Sequence, residues 1–411
     1  MRRDKRNDRS RLDRIWKLSL LTFILAGLTG SMFRFGLTGW IPDWLALENI
    51  RHAHSHLMFF SWAVPAPLYV VLRLGYADGL PLTVVHRLRR WVQAIILLGL
   101  AAFPFFLFYG YRSVPIAGSA LPFSVMLSGL VMISWYGFSL EWIRWRSKVK
   151  TDLSVRFFDA ALLLLLVASL GAWGVAGTQF LQIENPLYGK ALTHFFLATF
   201  TEGWCIAVLL GVFYRFANLD RSDLPFSPGW LIYPILFGAP LTFPYGISEM
   251  LMTGEMSVAA RVGGGLAAAG LILNIYILVR YGRFNRKLLW MIPIWLLALK
   301  AVIQLSASLL PGSFWMSDQP LRIFYLHLLL LGGFTLTMMA AFHQDTRTKS
   351  MPYYLFGGSV LLVLISLLML TRFWPGSMRR MDPYFLAAII SVAPVIAAAI
   401  ELFYLSKVKT H

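Results

Sequence analysis

The chain has 411 residues, 58% of them hydrophobic and only 14% charged, with 37 Lys and Arg against 19 Asp and Glu. The apolar residues come in runs of about twenty, the length that crosses a ~30 Å hydrocarbon core as helix, which excludes an ordinary soluble enzyme. The net charge of +18 would suggest nucleic acid in a soluble protein. Here the basic residues fall in loops between apolar runs, where membrane topology accounts for them, and no nucleic-acid partner is expected.

Cys205 is the single cysteine, so an intrachain disulfide, a CxxCH haem attachment and a thiolate cluster are all excluded. The basic start leads into an apolar segment as a signal peptide would. With no small-residue cleavage site and a length that spans, it reads as the first transmembrane helix, preceded by a cytoplasmic basic tail over 1–15. Twelve spans follow one another at 16–36, 51–72, 91–111, 120–142, 157–180, 188–214, 229–252, 258–280, 288–310, 321–343, 353–372 and 383–406. The expected fold is all-α, a polytopic bundle forming a single transmembrane domain over 1–411. Most Lys and Arg fall in alternate loops, which places both termini in the cytoplasm of a cell whose inner membrane holds the chain. Arg372, Arg379 and Arg380 break that pattern by crowding one outer loop, as a late loop tolerates or as a bound anion would require. No period of 20–50 residues recurs, and no inverted repeat links the two halves.

Ionisable residues inside spans carry the functional expectations, because lipid penalises them unless they are paired or liganded. His52, His54 and His56 open the second span, and imidazole binds metals and haem iron through one ring nitrogen. His52 and His56 share a helical face, whereas His54 points about 160° away, so a helix cannot bring all three to one metal. His194 in the sixth span and His327 in the tenth lie at a similar depth, near the end where Glu249 closes the seventh. A shared level for histidines of three spans favours a metal or haem site near the outer face. Glu202 lies two turns below His194, and Lys300 and Gln304 are one turn apart in the ninth span. These form either a proton path, a buried ion pair or a packing hydrogen bond. His86, His343 and His411 receive no role.

The second span, His54-Ser55-His56-Leu57-Met58-Phe59-Phe60 running to Pro65-Ala66, resembles the second helix of haem–copper oxidase catalytic subunits. The tenth, Phe324-Tyr325-Leu326-His327-Leu328, is similar to that family's His-x-His helix, with Tyr325 in place of the high-spin haem ligand. The loop Pro375-Gly376-Ser377-Met378-Arg379-Arg380-Met381-Asp382 resembles the segment whose paired arginines hold haem propionates, and Arg34 matches a first-helix arginine facing the same haem. The histidine-rich second span also resembles the NnrS-type haem–copper membrane proteins of nitric oxide metabolism. The resemblance implies a haem–copper-oxidase-like bundle holding one low-spin b-type haem near its outer face. Its ligands would be His54, or His56, and His327, with Arg34, Arg379 and Arg380 on the propionates.

It implies a place in respiratory or nitric oxide and oxygen-related redox metabolism, with a redox partner or a diatomic gas as ligand. Oxidase copper chemistry is not implied, because the seventh span offers Leu241-Thr242-Phe243-Pro244-Tyr245-Gly246 where the family has a His-His pair. His194 with Glu249, and with His56, remains a candidate for copper or another second metal, so the metal candidates are His54, His56, His194 and His327. Two other classes stay open: a secondary transporter using protonatable His and Glu, and a non-haem metal-dependent membrane enzyme.

Overall fold

The computed structural model describes residues 2–116, 119–311, 318–346, 348–376 and 382–407. Eleven of its helices are long and apolar enough to cross a membrane: α1 (Leu12–Gly36), α2 (Leu47–Ala77), α3 (Leu82–Tyr109), α4 (Phe123–Lys148), α5 (Leu153–Phe180), α6 (Pro186–Phe216), α8 (Gly254–Tyr281), α9 (Lys287–Leu309), α10 (Gln319–Thr346), α11 (Met351–Leu368) and α12 (Pro383–Lys407). A shorter apolar helix, α7 (Gly229–Leu241), stands between α6 and α8. Strands β1 (Val114–Ile116) and β2 (Ser119–Leu121) form an antiparallel hairpin between α3 and α4, with Val114 opposite Leu121. The protein is therefore an all-α polytopic membrane protein.

Several helix starts are written in the sequence. Asn185 accepts from the Leu187 N–H ahead of Pro186, Asp318 accepts from Leu321, and Asp382 accepts from Tyr384 beside Pro383. Each side chain satisfies an N–H that the first turn leaves open, and proline at the start gives up no intrahelical bond. Asp152 caps α5 in the same way through Val155.

The chain divides into two compact units, one of residues 1–150 and 349–411, the other of residues 151–348. The first is built around Trp16, Trp62 and Tyr69, with Trp16 5.5 Å from each of the other two rings. Beside them the Arg73 guanidinium meets Asp13 at 3.0 Å, and the Tyr69 hydroxyl donates to the same carboxylate oxygen. In the second unit Tyr214 stacks on Phe157 and donates to Asn274 Oδ1 at 2.7 Å. The Asn274 amide in turn donates to the carbonyls of Leu231 and Gly270. α7 and α8 meet at Gly238 and Gly263, where a Cβ on Gly238 would come 2.7 Å from the Gly263 carbonyl oxygen. Only a small-residue seam allows backbones that close.

Two features depart from the sequence reading. The seventh span, expected over 229–252, ends as helix at Leu241 after 13 residues, roughly 20 Å long, and breaks into short turns over Phe243–Gly246 and Glu249–Leu251. Pro240 and Pro244 lack the N–H groups that would carry the helix through, and the chain goes on from Phe243 as a tighter turn with Pro244 near its start, where the missing N–H costs nothing. The second departure is internal. α2, α6 and α10 each contain a π-helical stretch, Phe59–Ala63, Thr199–Cys205 and Leu328–Thr335. In α2 the widened turn directly precedes Pro65, whose ring would otherwise clash with the carbonyl four residues back. In α6 and α10 the stretch contains Gly203 or the Gly332-Gly333 pair.

Candidate functional site

In the first unit α2 carries the three histidines to two different sides. His54 Nδ1 lies 2.7 Å from the Ala26 carbonyl oxygen of α1, so Nδ1 carries the proton and Nε2 keeps its lone pair. Nε2 has no hydrogen-bond partner among the described residues. The ring lies against Gly30, where a Cβ would come 2.7 Å from His54 Cε1. Arg34, one turn further along α1, is only partly exposed and places its charge close enough to act on His54. Among the described residues it makes no hydrogen bond or ion pair.

His56 points the other way. Its ring stacks on Phe106 with centroids 3.9 Å apart, and Nε2 lies 2.7 Å from the Tyr111 hydroxyl. Nδ1 is buried with no partner among the described residues, whichever tautomer is present. Tyr111 lies beyond the end of α3. Removal of its hydroxyl from water pushes the phenol up to about 12, although 48% of the residue's surface is open, with Arg51 pulling in the opposite direction. His52 faces Tyr111 edge-on at 4.7 Å, with Nε2 3.5 Å from Glu48. The helical argument that His54 cannot share a metal with His52 and His56 thus agrees with their partners.

In the second unit the polar groups of α6, α9 and α10 come together. Lys300 is fully buried and donates to Glu202 Oε2 and, at 2.6 Å, to Gln304 Oε1. The Tyr325 hydroxyl donates to the other Glu202 oxygen at 2.9 Å, and its ring centroid lies 5.2 Å from Lys300 Nζ. Lys300 and Glu202 form a buried ion pair, and Tyr325 is the partner that sequence reading missed. His327 Nδ1 lies 2.8 Å from the Ile323 carbonyl oxygen, which again leaves the lone pair on Nε2. His194 packs on Gly246 with no room for a side chain at that glycine, and Lys190 and Arg322 act on it electrostatically.

His54, His194 and His327 stand seven, eight and eight residues beyond the first residue of their helices, roughly 10–12 Å along each. No group of three or more His, Cys, Asp or Glu side chains that could hold a metal ion occurs among the described residues. Arg379 and Arg380 lie outside the described residues, as does the side chain of Glu249. A scan against protein-family models and a search of curated proteins returned no match.

Proposed function

We propose that this chain is a haem-binding integral membrane protein of redox metabolism linked to respiration or to nitric oxide and oxygen. His54 is the candidate axial ligand of the first unit, and His327 is the candidate that the resemblance implies in the second. The observation that carries the reading is His54 beside Arg34. An imidazole whose Nδ1 is anchored on a carbonyl presents Nε2 as a fixed, more basic ligand, and an arginine with no partner among the described residues suits a propionate. Gly30 holds the ring against α1, so the donor set and its support fit an axial imidazole. His327, anchored on Ile323, has the same tautomer.

A bound b-type haem would supply one-electron exchange when six-coordinate, or a gas-binding position when five-coordinate. The chain's own contribution is to fix the ring nitrogen, balance the propionate charge and exclude water. An oxidase copper site forms no part of the proposal, because α7 and the turns after it hold no histidine.

The test is the optical spectrum, oxidised and reduced, of detergent-purified protein, with iron analysis of the same sample. We expect sharp reduced Soret and α bands with iron, lost in His54→Ala and His327→Ala and kept in His86→Ala. Equal haem content in all three variants would sink the ligand assignment. A second reading, proton-linked transport, is favoured by the buried Lys300–Glu202 pair. It expects no Soret band from protein made in haem-replete cells.

A further inference from the structure

Lys300, Gln304 and Ser308 lie one turn apart on α9 and are 0%, 4% and 6% exposed. The stripe covers nine residues, a rise of roughly 12 Å, and ends one residue before the helix does at Leu309. Its members are joined: Ser308 Oγ donates to the Gln304 carbonyl at 2.9 Å, and Lys300 Nζ donates to Gln304 Oε1 and Glu202 Oε2. At the far end Arg261 donates to the carbonyls of Ser308 and Leu309 at 3.0 Å each, and the Tyr245 hydroxyl lies 3.4 Å from the Ala307 carbonyl. Polar side chains therefore recur at each turn of this face, from Lys300 on the buried Glu202 carboxylate to Ser308, which is tied to Gln304 through the main-chain carbonyl.

A structural ion pair needs no such line. Two apolar side chains of similar volume would hold these helices at least as well, because desolvation offsets most of the attraction within a buried pair. A carboxylate kept in the membrane interior and connected by polar side chains to one surface is the arrangement that proton relays use. The basic loops put the Leu309 end of α9 on the outer side.

We propose that Glu202 is a proton-exchange site in the membrane interior, reached from the outer side along Ser308 and Gln304. One proton adds to the Glu202 carboxylate at Oε2 to give the acid, and the same proton leaves on return; no electron moves. Lys300 stays cationic throughout, held by Gln304 Oε1 and the face of Tyr325. The groups that face the carboxylate are Lys300 with Gln304 from α9, Tyr325 from α10 and Cys205 on α6. Tyr245, from the turn after α7, faces Tyr325. The inference does not rest on the haem reading.

The test is acid-minus-neutral infrared difference spectroscopy on the full-length protein in detergent, with monodispersity checked for every variant. We expect a protonated-carboxyl band in the wild type that Glu202→Gln removes. The bands of the other buried carboxylates, Asp13, Glu141, Asp318 and Glu401, should remain. After an acid jump the band should form several-fold more slowly in Gln304→Leu and Ser308→Val. If Glu202→Gln does not fold, Glu202→Gln/Lys300→Met removes both charges together and serves in its place. Identical carboxyl regions with and without Glu202, across the pH range in which the protein stays folded, would overturn the site. Unchanged rates in both stripe variants would overturn the path.

Discussion

Single residues of this chain are held by what lies opposite them. Gly30→Ala puts a methyl into the His54 ring, whose nearest atom would be 2.7 Å away, and overpacking of that kind costs about 1–3 kcal/mol. Thermal unfolding should register that loss, together with a shifted reduced α band if His54 holds iron. Lys300→Met leaves Glu202 buried without its cation, which costs about 3–5 kcal/mol, whereas the double variant with Glu202→Gln should regain most of it. A denaturation series across the single and double variants checks the coupling.

Tyr111 gives a pH prediction. Its phenol, at about 12, holds its proton more tightly in the folded protein than an ordinary tyrosine near 10. The stabilisation is present below about pH 10 and is lost as pH rises through the folded value. In a tyrosinate absorbance titration, Tyr111→Phe should remove one residue from the late-titrating set. His54, Glu202 and Lys300 were legible as candidates because ionisable residues are rare in apolar runs. The Tyr325 contact and Ser308 were not, since tyrosine and serine are common there. A search for polar positions four apart along α9 would have found Ser308.

At the scale of elements, the apolar runs marked the spans well and their limits less well. α2 and α3 begin at Leu47 and Leu82, before the apolar windows at 51 and 91, because helix continues through polar residues beyond the hydrocarbon. The three π-helical stretches left no readable mark, since whether a backbone takes one residue more per turn is decided by what packs against it. Each lies beyond a histidine in its own helix, between that histidine and the rest of the span. Deleting Ser61 should return Phe59–Ala63 to α-helical register and leave His54 in nearly the same rotation against the Pro65 half, because the widened turn absorbs one residue without adding its full ~100°. We expect any bound haem and the helical content both to be retained, whereas deleting Val70, outside the widened turn, should not be tolerated; absorbance and circular dichroism on one sample read the difference.

For the whole molecule, the class was legible from hydropathy alone, while the division into two compact units and the shortness of α7 were not. The first depends on which helices pack together, and hydropathy is blind to that. The second depends on Pro240 and Pro244 acting inside an apolar run long enough to span. The proposed orientation is checked by reporter fusions at both termini, where a signal from the far side of the membrane at either end would overturn it.

The short α7 has a consequence for the lipid. Its roughly 20 Å falls well below a ~30 Å hydrocarbon core, and the turns that continue it leave backbone groups that acyl chains cannot satisfy. We expect the bilayer to thin along this flank of the second unit, at a cost that grows with every ångström of mismatch. The protein should accordingly be most stable in bilayers of short acyl chains and lose stability steadily as the chains lengthen, so that membrane thickness itself acts as a ligand of the fold.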